Sequence, residues 1–564
     1  MARNPNSRPT PRPGRSPTRQ EDPAPESELA LIRAQLAGGR IAEARREAES
    51  LGERHPDSPA VLRLRGQAAE AVGDWRAALA IARRATELRP RNIRARLHLV
   101  RALWQTGQVA RALEMLDGVS RTAAHRPGAM ARVGACYAGL GLHEPAYRCF
   151  LRALEHRPED PVLLASVADS AAALGKVAVA RSHADRALFI DPEQLPLLER
   201  RTRWSREASV LRNSPKDDAD ELTRERVNQL GFQLDRLPPD DPRRAPVCYA
   251  LASELDALGH LEPAFGIWCE GARCQLLAER HDGSTDRAHL LRATEAFDAA
   301  WFDAQPAALA GVDGGADRVF LTGLPAAGLG WLADRLRAVP GVEVQCDTGF
   351  VAQALALASP GRGAGSAGFD SAGDASATGG WARHAGLQPG DWRGGYLESS
   401  RALARWREGI ESPAVTVDVA SSHLGALGLI RAAFPDAAII HLRRDPLDHC
   451  FALFTTRYPR GRAWSYDLRT LARHYAAYHH LMGHWRRRLP GGFVDLDVEA
   501  LILDPHRIAD CVVAHPGSDA PRSAGHAEPA ASPTEALRIG RASAYQQHLS
   551  ALAERLRADG VPVR

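Results

Sequence analysis

Along the first 200 positions, small and helix-breaking residues return with a fixed period. Glycines stand at Gly39, Gly73, Gly107, Gly141 and Gly175, each 34 residues after the last. An alanine follows each by five residues, at Ala44, Ala78, Ala112, Ala146 and Ala180. Prolines close four of the five units in one register, at Pro56, Pro90, Pro158 and Pro192, while the third unit carries Pro127 three residues late. Stacked helical hairpins need these residues. Glycine serves where two closely approaching helices turn into one another, and alanine lets the second helix pack on the first. Proline ends the second helix because it cannot continue the hydrogen-bond ladder. A further helical stretch is expected from about 218 to 300, where Gly259 and Ala264 repeat the offset out of register.

After Gly315 the pattern changes. In "RVFLTGLPAAGLGWLADRL" a short apolar strand, Val319 to Leu321, leads through glycines into an amphipathic helix. In "FPDAAIIHLRRDPLDHCFALF" a second strand, Ala437 to Leu442, ends on two arginines before a helix start. Asp445 is the expected N-cap, with Pro446 at N1 and Asp448 at N3. The predicted fold class is therefore multidomain: an all-α superhelix, then an α/β domain with a parallel sheet. Glycines between a strand and a helix can build an anion site from backbone N–H groups and the helix dipole, or serve steric needs alone. Arg443 and Arg444 are placed at the carboxyl end of a strand beside a helix N-terminus, where open α/β sheets bind ligands.

Composition narrows the partners. The 564 residues carry a net charge of only +4, so there is no basic footprint of a dedicated nucleic-acid binder. No stretch approaches about 18 consecutive apolar residues, so no membrane span is expected. The eight cysteines are scattered with no C-x-x-C pair, which suits reduced thiols and a cytoplasmic protein better than a zinc ribbon or disulfide scaffold. The chain divides into a disordered tail (1–27), the repeat array (28–200), a helical connector (201–315) and the α/β domain (316–564). Gly/Ala/Ser/Pro-rich inserts near 357–390 and 514–534 are expected to be mobile. His480 and His484 have the i, i+4 spacing of metal ligands, but with Tyr475 and Tyr478 beside them they read as a packed helix.

The periodic residues resemble the tetratricopeptide repeat, which implies a groove for a protein or peptide partner. The C-terminal half resembles the sulfotransferase family, in its bacterial branch fused to such repeats. Ile439 to Asp448 is similar to that family's "IIHxRRDPLD". Weaker likenesses are "LGLIRAAFPDA", "DLRTLARHYAAYHHLMGHW", "VEALILDP" and "GRASAY" at Gly540 to Tyr545. The resemblance implies a site for the sulfuryl donor 3′-phosphoadenosine 5′-phosphosulfate (PAPS), with Gly323, Pro325, Gly328, Leu329 and Gly330 around its 5′ end. Arg443 and Arg444 would stand at the strand end, Arg444 in the place of the 3′-phosphate arginine. By the family's spacing Asp347 takes the place of the catalytic base, with His423 second.

This chain departs from the family at the residues that carry charge. The loop's basic residue is Ala326, its serine Ala327, and its two threonines Leu329 and Gly330. The serine that partners the 3′-phosphate arginine is Ala452, and "D-K-x-P-x-N" is "DVASSH", with Asp418 retained and His423 in place of the asparagine. Two readings stand. One is sulfuryl transfer from PAPS to a hydroxyl on a protein or glycan. The other is a catalytically impaired pseudo-sulfotransferase acting as a repeat-based interaction scaffold.

Overall fold

The structure is a computed structural model that describes residues 25–211, 216–279, 284–305, 314–359, 381–408, 413–458, 461–505, 508 and 537–563. Most of the expected N-terminal tail, and the stretches 360–380 and 509–536 of the two inserts, lie outside the described residues. The flank of the first insert is described, and Trp381 there is buried.

The repeats are antiparallel helix pairs. They run Glu26–Ala37 with Ile41–Arg54, Pro59–Ala71 with Trp75–Leu88, Ile93–Gln105 with Val109–Ala123, Pro127–Gly139 with His143–His156, and Pro161–Ala173 with Val177–Ile190. The five periodic glycines turn each pair at φ between 69° and 76°, a left-handed conformation that glycine adopts without Cβ strain. The five alanines are at most 1% exposed, each wedged in its own hairpin. Pro127 does not close the third unit. It occupies the first turn of the next helix, as Pro59 and Pro161 do in theirs. The out-of-register offset is also a hairpin: Arg244–Ala257 turns at Gly259 (φ 79°) into Leu261–Ala278, with Ala264 buried between them.

Five parallel strands follow: β1 Arg318–Thr322, β2 Val342–Cys346, β3 Val415–Val419, β4 Ala438–Arg443 and β5 Phe493–Asp497. Their order is β2-β3-β1-β4-β5, with Leu321 of β1 opposite Val419 of β3 and Ile440 of β4. Every residue of β1 and β3 is buried, as expected for strands covered on both faces. The carboxyl ends of β1, β3 and β4 open on one side, where such sheets hold ligands.

The array and the sheet domain share one apolar core. The helix Pro389–Glu408 lies on the third and fourth repeats, where the Trp406 indole N–H donates to Asp117 (2.9 Å) and its ring stacks on Tyr137. Gln353 donates to the Trp104 carbonyl, and Phe350 packs on the Trp104 ring at 5.6 Å. On the connector side the Tyr249 hydroxyl donates to Phe454 O (3.2 Å) and His484 Nε2 to Phe297 O (2.8 Å).

Candidate functional site

The loop after β1 is shaped by close approach. A Cβ on Gly323 would stand 2.6 Å from the Leu442 carbonyl of β4, so glycine is required there. Ala326 (φ 61°) and Gly328 (φ 100°) are both left-handed, and Gly328 caps the helix Leu329–Leu336 with no side-chain hydrogen bond. His449 Nε2 donates to Pro325 O at 2.8 Å. Burial pushes that histidine's pKa down to about 3, which keeps it neutral. Above Gly328 the space is filled: a Cβ would meet Val498 at 3.0 Å and Leu537 at 3.1 Å. From Gly323 to Gly330 no side chain offers a cation or a hydroxyl.

Arg444 reaches this loop, but its donors go to protein carbonyls. It is 5% exposed, with Nη1 donating to Ala326 O (3.3 Å) and Nη2 to Arg538 O (3.0 Å). Asp445 caps its helix as expected, accepting from the N–H groups of Leu447 and Asp448 at 3.0 Å each. The Asp448 carboxylate accepts from Gly540 N (2.5 Å) and Ala542 N (2.7 Å), fastening residues 538–542 across the strand end. Arg443 stands apart, half-exposed and paired with Asp497 at 2.5 and 2.9 Å. Arg541, next to Gly540, is turned away to the connector. It pairs with Asp256 at 2.7 Å and lies over the rings of Trp268 and Phe451. The Tyr545 hydroxyl donates to the same carboxylate at 2.5 Å.

A second group forms at the carboxyl ends of β2 and β3. Asp347 follows β2 at φ 47°, its N–H donating to Val419 O at 2.8 Å. Its side chain reaches solvent, yet surrounding protein raises its pKa, while His423 and Arg462 pull it down. Asp418 of β3 is buried, 3.6 Å from His423 Nε2. Burial pushes Asp418 up to about 7, against the pull of Tyr396 and Arg318, and pushes His423 down to about 4. Near neutrality His423 is therefore uncharged and a weak base, while Asp418 is about half ionised. Asp347 is the better placed of the two sequence candidates, since its raised pKa brings it nearer the working range of a general base.

The structure thus gathers the loop and Arg444 in one place and Asp347 with His423 in another, while Arg443 lines a cavity with Arg444 but spends its guanidinium on Asp497. Sequence reasoning missed Arg462, which acts on Asp347 from a separate loop, and the Tyr396–Arg318 surroundings of Asp418. It also missed the capture of Arg541 by Asp256. His484, one of the two histidines with metal-ligand spacing, spends Nε2 on Phe297 O.

A parallel sheet with a glycine-bearing loop after its central strand, set behind helical repeats, defines the class of this molecule. Residues 318–521 match the model of the sulfotransferase family, and residues 69–135 match a tetratricopeptide-repeat model. The chain carries a sulfotransferase-family domain together with tetratricopeptide repeats. A curated relative, an uncharacterized protein of Aquifex aeolicus (strain VF5), is 24% identical over 139 residues. That match covers 22% of this chain and 18% of the relative's length. Among solved structures, a thermophilic TPR protein of Thermus thermophilus is 22% identical over 32% of this chain and 97% of its own, with a TM-score of 0.28. MamA from Desulfovibrio magneticus RS-1 is 20% identical over 30% of this chain and 96% of its own, with a TM-score of 0.24.

Proposed function

We propose that residues 316–564 form a catalytically impaired sulfotransferase-type domain, and that the array of residues 28–200, joined to it by the connector 201–315, docks a protein or peptide partner. The chain is then a cytoplasmic interaction scaffold with no role on nucleic acid. No described helix is long and apolar enough to cross a membrane. The observation that carries this reading is the donor loop. PAPS presents a phosphosulfate that needs preorganised positive charge and hydrogen-bond donors, and loss of one such donor costs about 10²–10³ in rate. Here Ala326, Ala327, Leu329 and Gly330 supply neither cation nor hydroxyl, and Leu537 roofs Gly328. Arg444 is engaged by two carbonyls, and Ala452 has no hydroxyl for a 3′-phosphate. These residues do not fit the donor.

The test is thermal unfolding with 3′-phosphoadenosine 5′-phosphate. No shift in Tm is expected at millimolar ligand. A shift that Arg444→Ala abolishes would restore a nucleotide site and overturn the reading. A second reading, sulfuryl transfer to a hydroxyl with Asp347 as base, is favoured by the raised pKa of Asp347 beside His423. Label transfer from PAPS that Asp347→Asn eliminates would establish it.

A further inference from the structure

The helices Pro59–Ala71, Ile93–Gln105 and Pro127–Gly139, with part of Trp75–Leu88, line a groove of about 870 Å³ in repeats two to four. Its charge is one-sided. Arg63, Arg89, Arg91, Arg94, Arg126 and Arg132 line it against a single carboxylate, Glu70, which is already paired with His98 (2.7 Å) and Arg101 (3.0 Å). None of the six arginines forms an ion pair or side-chain hydrogen bond among the described residues. Some arginines elsewhere in the array are matched, Arg45 with Asp74, Arg84 with Asp57 and Arg200 with Asp169. Burial, with the like charges of Arg33 and Arg94, lowers the pKa of Arg63. Arg63 is partly buried, with Glu26 acting on it from outside the groove, and the other five are exposed, so the cluster presents a solvated positive surface.

The groove also limits what the counter-charge can be. Leu62, Ile81 and Ile93 give it apolar wall, and no Phe, Tyr or Trp lines it, so beyond the imidazoles of His98 and His125 the bases of a single-stranded nucleic acid would find no stacking platform. Residues 1–24 of this chain carry five arginines and only Glu21 and Asp22 as acids, the wrong sign for an internal occupant. The sheet domain touches the third and fourth repeats through Trp104, Asp117 and Tyr137, none of which lines the groove.

We propose that this groove docks an acidic, partly apolar peptide segment of a partner protein, its carboxylates met by the arginine rim and its apolar side chains by Leu62, Ile81 and Ile93. The inference rests on the reading that the repeats dock a peptide, and adds the chemistry of that peptide. The experiment selects from a random short-peptide display library on the full-length chain, with a parallel selection on the Arg63→Glu/Arg94→Glu chain. Both sites are at the groove surface, and an unchanged Tm confirms that the variant folds. Acidic sequences should be enriched on the wild-type chain. A selected peptide should bind the variant at least about tenfold more weakly, and bind wild type more weakly as salt is raised. Enrichment without acidic bias, or binding indifferent to the reversal, overturns the charge assignment and leaves the docking reading standing. No enrichment at all removes the docking reading as well. Displacement of the peptide by a stoichiometric single-stranded oligonucleotide would assign the groove to nucleic acid instead and overturn the proposal.

Discussion

Asp418→Asn tests the electrostatics beneath the sheet's carboxyl edge. The wild-type carboxyl is held at about 7 in the folded protein, against an ordinary value of 3.8. A carboxyl whose folded pKa is raised contributes its stability below the unfolded value and loses it as pH rises through the folded one. The window is therefore about pH 4 to pH 7. Three units at about 1.4 kcal/mol each amount to about 4 kcal/mol, the cost of holding the ionised carboxylate in place at pH 8. Asparagine keeps the shape without the charge. The variant should match wild type near pH 4, then gain on it steadily, reaching about 4 kcal/mol at pH 8. Urea unfolding at pH 4, 5, 6, 7 and 8 can be followed by the buried tryptophans Trp381, Trp392, Trp464 and Trp485. The neutral histidines His449 and His474 lose stability as pH falls below about 6.5. That loss is common to both proteins and cancels in the difference. A difference that is flat with pH, or that favours wild type at pH 8, would refute the argument.

Ala326 holds φ 61° without the freedom of glycine, so Ala326→Gly should raise stability by up to about 1 kcal/mol, read as a higher Tm. A lower Tm would say that this backbone is held without strain. Asp256 joins Arg541, Arg206 and the Tyr545 hydroxyl. Asp256→Ala removes the carboxylate shared by the buried Arg206 and the part-buried Arg541 and should cost about 3 kcal/mol in chemical unfolding. A loss below about 1 kcal/mol would mean that water replaces the carboxylate there.

The repeats were legible because their requirements are local. A left-handed turn and a hairpin with no room for more than Cβ restrict residue choice at fixed spacing, so Gly39, Ala44 and their successors mark themselves. The strand ends were legible for a similar reason: Asp445 and Pro446 are cap chemistry within a few residues. The site was legible only in part. Asp347 and His423 were reachable by resemblance, but the raised pKa of Asp418 follows from burial among Tyr396 and Arg318, which come from other parts of the chain. The diversion of Arg541 to Asp256 joins residues 285 apart in sequence, and no local pattern encodes it.

The clasp between the third repeat and the sheet domain also bears on how the chain comes together. Gln353 meets Trp104 across 249 residues and Trp406 meets Asp117 across 289, so with the connector the molecule closes on itself as a ring. Closing such a span carries an entropy cost that grows with the logarithm of its length, while each hairpin of the array closes within one repeat. The array can therefore assemble early from neighbouring contacts, and the clasp must come after the sheet exists. Removing the array is then no clean excision. It would leave Phe350 and the Trp406 ring uncovered on the remaining domain, a surface that invites association between copies.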